Sequence, residues 1–123
     1  MGNPVVHFEI IGKNAEALRT FYRETFDWTI DPPVGGPNIP DYTVVHPTDN
    51  DRVGVSGGIG DPPEGYTGHV TFYIGVPDIA AKLRQIESRG GSVMMGPDQV
   101  PGGPVIGLFK DPEGHVIGLV ETQ

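Results

Sequence analysis

Two histidines stand near the start of two similar runs, His7 in "VVHFEII" (5–11) and His69 in "HVTFYIGV" (69–76). Both runs are rich in β-formers. Side chains alternate between the faces of a strand, so Glu9 shares a face with His7, and Thr71 and Tyr73 share one with His69. The five together make a polar cluster of one acid, two imidazoles, a hydroxyl and a phenol. Such a set could line a ligand-binding cleft. A buried Glu beside an imidazole could also take a proton from carbon next to a carbonyl, which is acid/base work needing no metal, with Glu9 as the candidate catalytic base. The opposing structural reading has the imidazoles hydrogen-bonded without chemistry and Glu9 paired with a base or a strand end.

Other chemistries are excluded or weak. The 123 residues contain no cysteine, so disulfides, thiolate metal sites and Cys nucleophiles are ruled out, and a metal would need His, Asp, Glu or backbone oxygen. Sixteen acids against eight Lys and Arg give a net charge of −8, which repels phosphate backbones and anionic membranes and tolerates a cationic small molecule. Nucleic acid and membrane are therefore not expected partners. No run reaches the roughly 18 apolar residues of a membrane span, and "MGNPVVHFEI" lacks the features of a signal peptide, so a cytoplasmic location is expected. The runs "GGIG" and "PGGPVIG" lack the Lys-Ser/Thr ending and following helix of a phosphate loop. Asp49, Asn50 and Asp51 lack calcium-loop spacing and read as a hairpin tip. His46 and His115 read as solvated turn residues; Trp28, Tyr42, Phe72 and Phe109 could stack on an aromatic ligand but read rather as core, with Phe72 under the helices.

The elements that must position the cluster repeat at about sixty residues. A helix follows each histidine strand. The first begins after Asn14 and carries Ala15, Leu18, Phe21, Tyr22 and Phe26 on one stripe. The second begins after Asp78, carries Ile79, Leu83 and Ile86, and stops at Gly90 and Gly91. Shorter strands follow at 27–30, 42–46 and 53–59, then at 92–96, 104–110 and 115–121. The segment 31–41 reads as a Pro/Gly loop. The expected fold is α+β, two βαβββ modules forming a curved eight-stranded mixed sheet around a concave cleft, helices outside. Module one spans about 4–60, a linker about 60–68 and module two about 68–123, within one domain over 1–123.

These features together resemble the vicinal oxygen chelate superfamily, which includes glyoxalase I, extradiol dioxygenases, fosfomycin-modifying enzymes and bleomycin-resistance proteins. The resemblance rests on "VVHFEI", "FY" at 21–22, "GHVTFYIGVPDI", "ESRGGSV" and the closing "FKDPEGHVIGLVE". It extends to the small single-domain proteins related to lactoylglutathione lyase. Metal-binding members place a ligand on the first and the last strand of each module. Carried over, the resemblance puts the first-strand ligands at His7 and His69 and the last-strand ligands at Gly58 and Gly118, where no carboxylate is present.

Two neutral imidazoles without an anionic ligand are a poor divalent site. The resemblance therefore implies a protein of glyoxalase or bleomycin-resistance type that binds a small organic molecule, with no cofactor expected. One alternative is a metal-dependent lyase, isomerase or dioxygenase using His7 and His69, with a divalent metal as cofactor. The other is a metal-free acid/base enzyme using Glu9. Small relatives of this kind usually pair, so a homodimer is expected, with modules joined within one chain or exchanged across the dimer.

Overall fold

The structure is a computed structural model that describes residues 2–36, 39–48 and 53–122, with the backbone alone at 34–36, 39 and 40. The chain divides into two compact units, residues 7–70 and residues 1–6 together with 71–123. The elements run β1 (Val5–Gly12), α1 (Ala15–Phe26), β2 (Thr29–Ile30), β3 (Val34–Gly36), β4 (Ile39–His46), β5 (Gly57–Gly60), β6 (Gly68–Val76), α2 (Ile79–Ser88), β7 (Ser92–Gln99), β8 (Val105–Lys110) and β9 (Val116–Glu121). The βαβββ order expected from the sequence is present twice, with the short strand β3 as an addition in the first half. No helix among the described residues is long and apolar enough to cross a membrane.

In the unit 7–70 the strands run β2-β4-β5-β1, with β3 also on β4. β1 and β5 are parallel, with Glu9 opposite Gly58, and β4 runs antiparallel to β5. Asn14 caps α1 by accepting from the Ala17 N–H at 3.1 Å. The core is Ile10, Ala15, Val45 and Ile59, with Phe8, Leu18, Tyr22 and Trp28 packed against it. Phe8 and Ile10 thus turn one face of β1 to this core, and alternation turns His7 and Glu9 to the other.

The second unit repeats the plan with β6-β9-β8-β7, β6 and β9 being parallel. Its core is Val76, Ile79, Leu83, Phe109 and Leu119. Asp78 caps α2 by accepting from the Ala81 N–H, and Glu121 at the end of β9 accepts from the Ile79 N–H at 3.1 Å. The helix therefore has an acceptor from its own cap and one from the last strand.

Several expectations are corrected. The loop expected over 31–41 contains β3 and the start of β4. The strand expected over 53–59 is confined to Gly57–Gly60, because the backbone bends at Val53 and Gly54, the latter at φ +82°. Residues 27–30 form strand only at Thr29–Ile30, since Asp27 closes α1 in the left-handed region. Phe21 and Phe26 are 54% and 55% exposed, so the inward stripe of α1 is the buried Ala15 with the partly buried Leu18 and Tyr22. Phe72 shares the face of Ile74 and Val76 yet is 39% exposed rather than packed under a helix. His46 is the last residue of β4, its Nε2 lying 3.1 Å from Asp31 Oδ2. His115 is exposed before β9, as its reading as a solvated turn residue has it, and pairs with Asp111. Asp49, Asn50 and Asp51 lie outside the described residues.

Candidate functional site

The site is assembled on β1, β4, β5 and β6 within residues 7–70. β5 reads Gly57-Gly58-Ile59-Gly60, so Gly58 and Gly60 leave one face of the strand bare. Tyr42 on β4 is paired with Gly60 and lies diagonally from Gly58. Diagonal neighbours in a sheet lie within reach of an aromatic ring. The ring crosses β5 through this groove, and its hydroxyl meets His7 Nε2 on β1 at 2.8 Å. A Cβ built on Gly58 would collide with the Tyr42 hydroxyl and ring, and one on Gly60 would lie 2.7 Å from Tyr42 Cδ1. A phenol therefore fills the space into which a side chain at 58 would project. Gly57 offers no substitute position, because the Phe8 ring covers it.

Glu9, next along the same face of β1, is buried at 7% exposure. Its Oε2 lies 2.6 Å from His69 Nε2, and both side chains are 9% exposed. The other imidazole nitrogen, Nδ1, is 2.7 Å from the Tyr66 hydroxyl. Carboxylate, imidazole and phenol thus form a continuous chain of short hydrogen bonds. Charge-assisted bonds of this length are stronger than neutral ones, and low exposure strengthens them further.

Burial holds the pKa of His7 below the usual imidazole value, and the nearby Glu9 charge opposes this in part. A buried imidazole resists protonation because its cation loses hydration. Burial also raises the Tyr66 phenol, with Glu9 adding to the rise, so Tyr66 stays protonated and able to donate.

The remaining expected residues belong to the other unit. Thr71 donates its hydroxyl to the Val116 carbonyl at 2.6 Å. Tyr73, 6% exposed, faces Gly118 as its register partner, and a Cβ on Gly118 would come within 2.5 Å of its ring. Both glycine positions therefore lie under a tyrosine. Among the described residues no three His, Cys, Asp or Glu side chains are grouped so as to hold a metal ion.

Of the five residues expected to line one cleft, the geometry brings together His7, Glu9 and His69, and it adds Tyr42 and Tyr66. Tyr42 was expected in the core and Tyr66 in a linker. The signal for Tyr42 is the Gly-x-Gly spacing on β5, which leaves an aromatic-sized groove. Tyr66 has only its closeness in sequence to His69.

Comparison with known proteins gives the fold a context. The structure is similar to a Streptomyces coelicolor methylmalonyl-CoA epimerase solved with 2-nitronate-propionyl-CoA, at TM-score 0.70 and 18% identity, covering 98% of this chain and 94% of that one. A methylmalonyl-CoA epimerase from Mycobacterium tuberculosis matches at TM-score 0.69 and 13% identity, over 97% of this chain and 87% of that one. A hypothetical protein from Bacillus halodurans C-125 matches at 0.73 and 14%, over 100% and 96%. At these identities the likeness is one of fold. No curated protein matches the sequence. The family model for the Glyoxalase/Bleomycin resistance protein/Dioxygenase superfamily matches residues 5–119, and the chain belongs to that superfamily.

Proposed function

We propose that this chain is a small-molecule-binding member of its superfamily that works without a resident divalent metal. The observation that carries the reading is the placement of Tyr42 over Gly58, with its hydroxyl on His7 Nε2. Catalytic zinc sites normally supply three protein ligands, and hard-metal sites lean on carboxylates. At position 58 there is no carboxylate, and the space for one holds a phenol. At His7 the ring nitrogen facing that space is hydrogen-bonded. His69 has both nitrogens engaged, by Glu9 and Tyr66, so a metal would have to break one of two short bonds. The residues do not fit the metal that the superfamily's enzymes imply.

The test is metal titration of the full chain, followed by native mass spectrometry, with nickel, zinc, manganese and iron. The expected result is no near-stoichiometric binding at micromolar metal. A metal bound at one per chain, and lost in the His7→Ala/His69→Ala variant, would overturn the reading.

A second reading is favoured by the Glu9–His69 contact at 2.6 Å: acid/base chemistry at carbon. Glu9 would take a proton from carbon next to a carbonyl and return it, with no change of oxidation state. The fold likeness to epimerases, some solved with acyl-CoA ligands, makes such carbon acids reasonable probes. A net charge of −8 weighs against the phosphates of a CoA ester, so small uncharged or cationic carbonyl compounds are the better class. Deuterium exchange at the α-carbon, lost in Glu9→Gln, would support it. Exchange intact in Glu9→Gln would remove Glu9 from that role.

We also propose that the protein is cytoplasmic and a homodimer; light scattering on the eluting full chain would establish or refute the dimer.

A further inference from the structure

The turn before β6 brings to this site a side chain that the strands do not supply. The Tyr66 N–H donates to the Pro63 carbonyl at 3.0 Å, and Gly65 between them has φ +85°. A bond from the fourth residue to the first, with positive φ at the third, is the pattern of a type II turn, and it favours glycine there. This turn sets Tyr66 edge-on to His69, ring centroids 5.5 Å apart, with its hydroxyl on Nδ1. Glu9 holds the opposite nitrogen.

A neutral imidazole carries one N–H and one lone pair, and an ionised carboxylate only accepts. With Glu9 ionised and the imidazole neutral, Glu9 takes the N–H at Nε2, which leaves Nδ1 as an acceptor for the Tyr66 hydroxyl. At 9% side-chain exposure, a nitrogen that lost its partner would not regain one from water at little cost.

We propose that Tyr66 is a positioning residue for Glu9, acting through His69. By donating to Nδ1 it fixes the imidazole in one tautomer and one rotation, so that the Nε2–H points at Glu9 and orients its carboxylate. The role belongs to the ligand site proposed above, but its test needs no ligand, so the two fail separately.

The experiment is nitrogen-15 NMR of the histidine side chains, with carbon-13 detection of the Glu9 carboxyl, on the full chain. Wild type is expected to show His69 protonated at Nε2 and hydrogen-bonded but unprotonated at Nδ1. In Tyr66→Phe both His69 nitrogens and the Glu9 carboxyl carbon should shift, while His115, paired separately with Asp111, stays in place and reports that the fold is intact. Gly65→Ala keeps the phenol but strains the turn, and should move the same signals. Unchanged His69 and Glu9 signals in both variants, or a wild-type tautomer protonated at Nδ1, would overturn the proposal. If the signals move as expected but no small molecule binds, the positioning role stands and the ligand reading falls.

Discussion

The ring of Tyr42 lies where the side chain of residue 58 would project from β5, and residue 58 is glycine. The two identities depend on each other. Gly58→Glu should destabilise the protein by about 1–3 kcal/mol, because the new side chain must displace a packed ring. Tyr42→Ala made together with Gly58→Glu should cost less than the sum of the single changes. Urea unfolding of the two single variants and the double variant would measure this coupling. Additive losses would mean that the two positions do not compete for one space. The double variant also places a carboxylate beside His7, so its affinity for zinc or nickel should exceed that of wild type.

The same relationship recurs in the other unit with different geometry. Tyr73 faces Gly118 directly across the parallel pair β6 and β9 and is 6% exposed. Gly118→Ala adds only a methyl group, yet the ring must move to admit it. A loss of about 1–3 kcal/mol is expected from overpacking. A variant as stable as wild type in chemical denaturation would show that the ring has room to shift.

How much of this was legible in the sequence depended on how local the signal was. The strands β1 and β6 and the caps Asn14 and Asp78 follow from alternation and from side chains that bond three residues on, so they could be read from short windows. The grouping of His7 with Glu9 came from the same alternation. Tyr42 and Gly58 are sixteen positions apart in sequence, and their meeting depends on the register of β4 against β5. Nothing local sets that register. Tyr66 reads as linker because Pro and Gly surround it, although the turn they form is what carries it to His69. Phe21, Phe26 and Phe72 show the converse limit: periodicity gives the face of an element but not how far the opposing layer extends over it.

Glu9 is buried, and its partner His69 is nearly as enclosed. Glu9→Ala would leave the His69 N–H without its acceptor, and a loss of about 1–3 kcal/mol is expected. Glu9→Gln keeps an acceptor oxygen and should cost clearly less. Thermal and urea unfolding of both would check the order. Equal losses would indicate that the carboxylate's charge, rather than its hydrogen bond, supplies the stabilisation.

His7 gives the fold a pH dependence. Its pKa is lowered on folding, mainly by burial, from an unfolded value of 6.5. The unfolded chain therefore binds a proton more readily than the native one. Stability is greatest above the unfolded value and falls as pH drops through it towards the folded pKa. The slope between about pH 7 and about pH 5 should be reduced in His7→Gln, a range set by the imidazole reference value. Unfolding free energies at several pH values would show it, and an identical slope in the variant would exclude His7 as its source.

The N-terminus of α2 receives two carboxylates from opposite ends of the second unit. Asp78 accepts from the Ala81 N–H at 3.0 Å, and Glu121 accepts from the Ile79 N–H at 3.1 Å. Each satisfies a backbone donor with no partner inside the helix, and each places negative charge at the positive end of the helix dipole. Asp78→Ala should cost about 0.5–2 kcal/mol, the usual range for losing a cap. Glu121→Ala should cost a comparable amount. The two losses differ in what they release: Asp78 is local to the helix, whereas Glu121 ties the helix to the last strand. Hydrogen exchange would separate them. In Asp78→Ala, faster exchange should be confined to the first turn of α2. In Glu121→Ala it should extend to the end of β9 as well, and protection of β9 left unchanged would show that Glu121 only caps the helix.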